Sequence, residues 1–165
     1  MFRRSALALL LLLPFCASTL AFEVDQFRAG MSRRLIMDYL VEWGFDEIED
    51  VSADLILAYD LPSKQTNRLF KFSFCNDKLV GFEQSLKASI KNFVTVTHNY
   101  VRQYGQPIKV DAASNVVSSG EKHTLVLYWR VRHYFVGLRY INLPNGEDLS
   151  VVYEVNNNCW QAPRG

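Results

Sequence analysis

Three histidines are the residues of this chain that first suggest metal chemistry: His98, His123 and His133. A zinc site needs histidine, cysteine or carboxylate ligands at short, regular spacing. No two histidines lie four residues apart, and the sequence contains no HExxH motif. A hairpin could bring His123 near His133, but isolated surface histidines are the simpler interpretation. We therefore predict no metal site.

Nucleophilic and acid–base chemistry find equally little support. The sequence has no GxSxG motif around a serine, and neither GxGxxG nor GxxxxGK[ST] to bind a phosphate. Acidic residues cluster at Asp46, Glu47, Glu49 and Asp50, where a solvated charge run explains them better than a catalytic pair. A pair of glycosidase carboxylates distant in sequence stays open. We predict no catalytic residues, no cofactor and no enzymatic activity.

Two of the three cysteines, Cys75 and Cys159, lie outside the apolar N-terminus. An even number of cysteines in an oxidising compartment favours a disulfide, although two unrelated buried thiols are the alternative. The chain has no CxxC motif, which disfavours a thioredoxin-type redox role. We predict that Cys75 and Cys159 are bonded.

The first 21 residues have the order of a secretory signal peptide. Arg3 and Arg4 precede an apolar run over residues 6–13, and Pro14 follows. Small residues then lead to a predicted cleavage site after Ala21, with cleavage after Ala17 or Thr19 as the alternatives. The apolar run is too short to span a bilayer, which takes roughly 20 residues. Cys16 lacks the small preceding residue of a lipobox because Phe15 stands there. We expect a periplasmic or secreted protein without a stable membrane anchor.

Composition restricts the class of partner. Cleavage would remove two of the 18 basic residues and leave 16 against 17 acidic ones, so the exported chain is nearly neutral. A neutral chain gives no electrostatic reason to bind nucleic acid. The 49% hydrophobic content excludes a disordered chain and is sufficient for a core.

Two segments have helical spacing. Ser32 is a good N-cap and Gly44 a good C-terminal stop, which predicts a helix over residues 32–43. A second helix is predicted over residues 88–104 and ends at Gly105. Its predicted apolar stripe consists of Ile90, Phe93, Val94, Thr97, Val101 and Tyr104.

Alternation of apolar and polar residues predicts strands in most of the remainder. We place clear strands at residues 55–60, 70–75, 78–83, 124–131, 134–141 and 150–155, weaker ones near 47–51 and 108–112, and a loop over 113–122. The side chains expected beneath the helices are Phe70, Phe72, Phe74, Val80, Phe82, Leu125, Leu127, Trp129, Val131, Val136, Leu138, Tyr140, Val151 and Tyr153.

The two halves of the chain resemble each other. Residues 38–44 align with residues 99–105, and residues 80–83 align with 151–154. Coincidence between amphipathic segments is the alternative, but the matched element order favours a duplication. We predict an α+β fold of two related units, residues 22–86 and 87–165. Each has one helix followed by three or four antiparallel strands, and whether the units share one extended sheet stays open.

One sheet face is predicted to remain open to solvent. It would carry Tyr128, Arg130, Arg132, Phe135, Arg139 and Glu154, with Lys71 and Glu83 from the first half. Tyrosine and arginine are enriched in binding hot spots, and arginine pairs with carboxylates in a bidentate way. We interpret five of these residues as a candidate partner-binding face, against the alternative of an ordinary solvated sheet. They are Tyr128, Arg130, Arg132, Phe135 and Arg139.

The pattern Phe27-x-x-Gly30-Met31-Ser32, opening a helix that ends at Trp43-Gly44 before a run of strands, resembles small bacterial envelope proteins. The families that it resembles are the small lipoproteins of the outer-membrane barrel-assembly machinery and the β-lactamase inhibitory proteins. The resemblance implies tandem helix-plus-sheet repeats and a habit of binding proteins on a sheet face. No contact residue is carried over from either family.

These observations lead to a functional hypothesis. We expect an exported, non-enzymatic protein-binding module of the bacterial envelope, acting as an adaptor, inhibitor or immunity-type factor. The first alternative is a carrier of a small apolar ligand held between helices and sheet. The second is an enzyme whose site the sequence does not reveal.

Overall fold

The computed structural model describes residues 22–62 and 68–159. The predicted signal peptide, residues 1–21, lies outside this part of the chain. The elements in chain order are β1 Glu23–Val24, β2 Phe27–Arg28, α1 Arg33–Glu42, β3 Glu47–Ser52, β4 Leu55–Tyr59, β5 Leu69–Cys75, β6 Lys78–Leu86, α2 Ile90–Tyr104, β7 Lys109–Val117, β8 Gly120–Val131, β9 Tyr134–Leu143 and β10 Gly146–Glu154.

Eight strands form one antiparallel sheet in the order β3-β4-β5-β6-β10-β9-β8-β7, and β1 pairs with β2 separately. The strands of each half follow one another as a meander, and the two meanders meet where β6 pairs with β10. Six residue pairs make this junction, from Leu86 opposite Leu149 to Gly81 opposite Glu154.

The predicted fold class is wrong. Strands contain 54% of the described residues and the two helices 19%, so the protein is mainly β rather than α+β. The strands do not divide into two helix-plus-sheet units, because sheet pairing continues from β6 to β10 across the boundary predicted at residues 86 and 87. Apolar alternation indicates which residues form strands, but it does not reveal which strand edges pair.

Both predicted helices are present, and their ends follow the capping residues. The Ser32 hydroxyl accepts from the Leu35 N–H at 3.4 Å, and the Ser89 hydroxyl accepts from the Asn92 N–H at 3.0 Å. Such caps satisfy main-chain donors that have no partner inside the helix. At the far end of α2, Gly105 has φ +86°, which favours glycine because it has no Cβ.

Two predictions about local structure are wrong. Residues 113–122, expected as a loop, form the far part of the long β7–β8 hairpin. These side chains are mostly exposed, so no buried face imposes the alternation that marks a strand. In α2, Ile90 and Val94 of the predicted apolar stripe are exposed, and Val96 and Tyr100 pack against the core instead.

Both helices pack on the same face of the sheet. Ile36 and Leu40 of α1 are buried with the phenylalanines of β5 and β6, and Phe93 of α2 is buried with Leu127 and Leu138. At the junction, Phe82 and Tyr153 lie directly opposite each other, and their rings stack with centroids 6.2 Å apart. A single face of the sheet therefore carries nearly all of the core.

The core position predicted for Val80 is wrong. A register irregularity between β5 and β6 places Ser73 opposite Gly81 but Phe74 opposite Leu79. Val80 is the extra residue of this bulge, so Leu79 and Phe82 both point into the core.

Arg33 connects the start of α1 to the β3–β4 turn. Its guanidinium donates to the Ala53 carbonyl at 3.0 Å and to the Ser52 carbonyl at 2.8 Å, and it pairs with the Asp50 carboxylate. The same group lies 5.0 Å from the centre of the Phe74 ring. These contacts explain a positive charge in the first turn of a helix, where the helix dipole disfavours it.

Replacing Arg33 with alanine should lower the free energy of unfolding by about 2 kcal/mol, the usual range for hydrogen bonds to a charged donor. Denaturant unfolding of Arg33→Ala measures this loss. Arg34→Ala is the matched control, because Arg34 is the exposed next residue and its loss should change stability by less than about 0.5 kcal/mol. Equal effects of the two substitutions would contradict the role assigned to Arg33.

The predicted cysteine pair is present. Cys75 at the β5–β6 turn and Cys159 in the segment after β10 are joined with their Cα atoms 5.8 Å apart. The bond closes a loop with a sequence separation of 84 residues. It holds the segment after β10, whose Val155 N–H donates to the Val80 carbonyl at 2.9 Å, against β6.

The disulfide restricts the conformations of the unfolded chain, and a loop of this length makes the restriction large. Its reduction restores that entropy to the unfolded state and should lower the free energy of unfolding by about 4 kcal/mol. The measurement is urea unfolding of the oxidised chain and of the Cys75→Ser, Cys159→Ser double variant. The reductant-treated native chain serves as the second comparison. A double variant as stable as the oxidised chain would be the contrary result.

Candidate functional site

The open face of the sheet is the face opposite the two helices. Because side chains alternate along a strand, the residues next to the core positions lie here. The strand register brings together on this face Leu57, Tyr59, Leu69, Lys71, Glu83, Val126, Tyr128, Arg130, Phe135, Arg139, Val152 and Glu154. Aliphatic, aromatic and charged side chains of both halves thus share one continuous surface.

Four of the five residues predicted for the partner-binding face lie on this surface: Tyr128, Arg130, Phe135 and Arg139. Arg132 does not join them, because it stands in the two-residue β8–β9 turn with φ +53°. Phe135 is only 3% exposed, and the Arg130 guanidinium lies 5.2 Å from its ring centre. Arg130 is therefore the exposed residue of that pair.

A pocket of about 140 Å³ lies at the centre of the open face, and two glycines create it. A Cβ at Gly137 would lie 3.5 Å from the Tyr128 ring, and one at Gly81 would lie 3.2 Å from the Ser73 Cβ. A side chain at Gly81 would crowd Ser73, whereas one at Gly137 would make ordinary contact with the Tyr128 ring and occupy part of the depression, so both glycines help to keep it free. The Tyr128 ring forms part of its wall.

Charged side chains surround this pocket. Glu83 accepts from the Arg139 guanidinium, and the Lys71 ammonium lies 3.9 Å from the other oxygen of the Glu83 carboxylate. Lys71 is directly opposite Glu83, whereas Arg139 reaches Glu83 across β10. Glu83 therefore connects strands of both meanders. Arg139, predicted for the partner-binding face, forms this internal ion pair and keeps about a third of its side chain exposed.

Glu154 is the unusual member of this group. Burial is the main cause and the nearby Glu83 carboxylate the second cause that raise the pKa of its carboxyl to about 7, while Lys71 and Arg139 act in the opposite direction. No hydrogen bond from the described residues reaches this carboxylate. A carboxyl that titrates near neutrality is suited to proton transfer or to pairing with a charged partner. The sequence placed Glu154 on this face but gave no signal of its pKa.

The histidines do not form a site. His123 near the start of β8 lies opposite Asn142, whereas His133 is in the turn after that strand, so the hairpin does not bring them together. Within residues 22–62 and 68–159, no three histidine, cysteine or acidic side chains are grouped as metal ligands. The acidic residues singled out in the sequence instead have local partners: Asp46 accepts from the Leu61 N–H at 2.9 Å, and Glu49 accepts from the Tyr59 hydroxyl.

Comparison with known proteins identifies no relative. Neither a protein-family model, nor a curated protein sequence, nor a solved structure matches this chain. The resemblance to small envelope proteins stays a prediction. Among the described residues, no helix has the length and hydropathy needed to cross a bilayer.

Glu154 should make stability depend on pH. Its pKa is about 7 in the folded chain against 4.5 for an ordinary glutamate, so the unfolded chain loses this proton first as pH rises. Between pH 4.5 and 8, ionisation of Glu154 should therefore lower the free energy of unfolding by about 1–3 kcal/mol. The full decrease is reached above pH 7. Unfolding of native and Glu154→Gln protein at several pH values measures this.

The expected result is that Glu154→Gln is the more stable protein at pH 8 and that the difference disappears near pH 4.5. Glu42→Gln is the control, because Glu42 is exposed on α1. Parallel pH profiles for the native protein and Glu154→Gln would show that burial does not perturb Glu154.

Proposed function

We propose that this chain is an exported protein-binding module whose contact surface is the open face of the sheet. The observation that carries the proposal is one eight-stranded sheet with both helices on the same side. Eight strands spaced by about 4.8 Å give a surface roughly 35 Å wide. A surface of this width can supply the roughly 800 Å² that a partner in a stable complex usually covers.

The composition of the open face supports this role. Partly exposed aliphatic side chains at Leu57 and Leu69 lie on the first meander, and Tyr128 and Arg130 lie on the second. Interfaces combine such apolar patches with tyrosine and arginine. The pocket beside Glu154 gives the centre of the surface a concave feature into which one partner side chain can fit.

Export is the second part of the proposal. The cysteine pair at disulfide distance fits an oxidising compartment, and the predicted signal peptide would deliver the chain there. We place the protein in the periplasm or outside the cell, where its partner is another envelope or secreted protein.

The carrier hypothesis ranks second. A carrier holds its ligand in a concave, mostly enclosed apolar site. The large apolar depression on the helix side, lined by Ile90, Ala112, Leu125 and Tyr140, is a groove open to solvent beside the edge strand β7. A wide face of mixed apolar and charged side chains is better suited to binding a protein partner than to holding a small apolar ligand.

Site-specific photo-crosslinking in the native cells tests the proposed surface. A photoreactive phenylalanine analogue would replace Leu69 or Arg130 on the open face. Matched controls carry it at Arg34 or Val41, which are exposed on α1. We expect the two open-face positions to give one and the same protein adduct, and the two helix positions to give none.

Mass spectrometry of the adduct then identifies the partner. Adducts of equal yield from both sides of the molecule would contradict the proposed surface. Absence of any protein adduct, together with a small molecule that copurifies with the chain, would favour the carrier.

A further inference from the structure

The two edges of the sheet differ in how they are protected against pairing. β3, at one edge, carries Glu47, Glu49 and Asp50 among its six residues, and its register with β4 is irregular between Asp50 and Ser52. Charges and irregularities are the usual means by which proteins block an edge strand. β7, at the other edge, pairs regularly with β8 over nine residues, and its residues 112–117 include no charge and no proline.

β7 also exposes apolar surface, both within residues 112–117 and just before them. Val116 is 86% exposed and Val110 55%, and both lie on the helix side of the sheet because Val110 is opposite the core residue Leu127. An open apolar groove of about 550 Å³ runs beside them, lined by Ile90, Ala112 and Leu125. Exposed main-chain groups and exposed apolar side chains therefore coincide along one edge.

We propose that β7 pairs antiparallel with β7 of a second copy of this chain, which makes the protein a homodimer with one continuous sheet. The register is centred on Ser114, so that Ser114 of each copy lies opposite Ser114 of the other. Val116 of one copy is then opposite Ala112 of the other. The contact is reciprocal, as a two-fold interface requires.

The pattern of residue sizes and charges favours a second copy as the occupant. In this register the large Val116 faces the small Ala112, which lines the apolar groove, so each valine covers part of the other copy's groove. Asp111 of one copy lies opposite the uncharged Val117 of the other, and Lys109 lies beyond the paired residues, next to the β7–β8 turn of the other copy, so no two charged side chains are paired. Within residues 111–117, an edge of this kind pairs with itself without charge repulsion and places its most exposed apolar side chain, Val116, on the groove of the other copy.

The dimer would have a definite geometry. Antiparallel pairing about a two-fold axis requires that axis to be perpendicular to the sheet, which leaves both open faces on the same side. The dimer then presents two copies of the open face on one side of its sheet. This inference goes beyond the proposed function and does not depend on it.

Sedimentation equilibrium of the purified, disulfide-bonded chain over a range of micromolar concentrations tests association. We expect a reversible monomer–dimer equilibrium. Val116→Lys should weaken it by about tenfold or more, because it removes an apolar contact from both copies. Val51→Lys on the other edge is the matched control, since Val51 is another exposed valine on an edge strand, and it should leave the dimer unchanged.

Cysteine trapping tests the register. Opposed residues of an antiparallel pair have Cα atoms about 4.5–5.5 Å apart, within the range of a disulfide. Ser114→Cys should therefore form a covalent dimer on mild oxidation, whereas Asn115→Cys, the exposed next residue, should not because its two copies are offset along the strands.

A chain that stays monomeric over the whole concentration range would overturn the proposal. A dimer that Val116→Lys leaves intact, or association that continues beyond two copies, would overturn it as well. Circular dichroism and the melting temperature of each variant establish that it is folded, which is expected because every substituted side chain is exposed.

Discussion

The antiparallel pairing of β6 with β10 determines most of what this molecule can do. On the helix side it places Phe82 against Tyr153, which joins the two parts of the core. On the open side it brings Glu83 and Glu154 into one charged group. Without this pairing each meander would expose a long strand edge, and there would be two narrow surfaces instead of one wide surface.

The same junction couples stability to the candidate site. Glu83 is held by Lys71 and Arg139, so the charges that connect the meanders also surround the central pocket. Glu154 is placed where burial and a neighbouring carboxylate oppose its ionisation. Proteins usually keep such unfavourable groups where they bind or react, since a merely structural position could be filled by an uncharged residue at lower cost.

Local features were predictable from the sequence because single residues determine them. Ser32 and Gly44 mark the ends of α1, and alternation along residues 70–75 reveals a half-buried strand and its outward-facing Lys71. The fold class was not predictable, because the β6–β10 contact joins edges distant in sequence. Three further features likewise depend on neighbours that the folded chain supplies. They are the β-bulge at Val80, the hydrogen-bond partners of Arg33 and the pKa of Glu154. The open face was predictable in part. Alternation along the strands predicted most of its residues, but it did not predict the ion pair between Arg139 and Glu83.

The position of the disulfide has a mechanical consequence. Cys75 and Cys159 enclose β6, α2 and β7 through β10 within one covalent ring. Tension applied to the two ends of the oxidised chain passes from Cys75 to Cys159 through the sulfur atoms, and the main chain between them is not stretched. Pulling can therefore extend the chain before Cys75 while the second meander keeps its length. An unfolding machine that draws in the chain from either end reaches this ring as a branched, double-stranded obstacle until the bond is reduced.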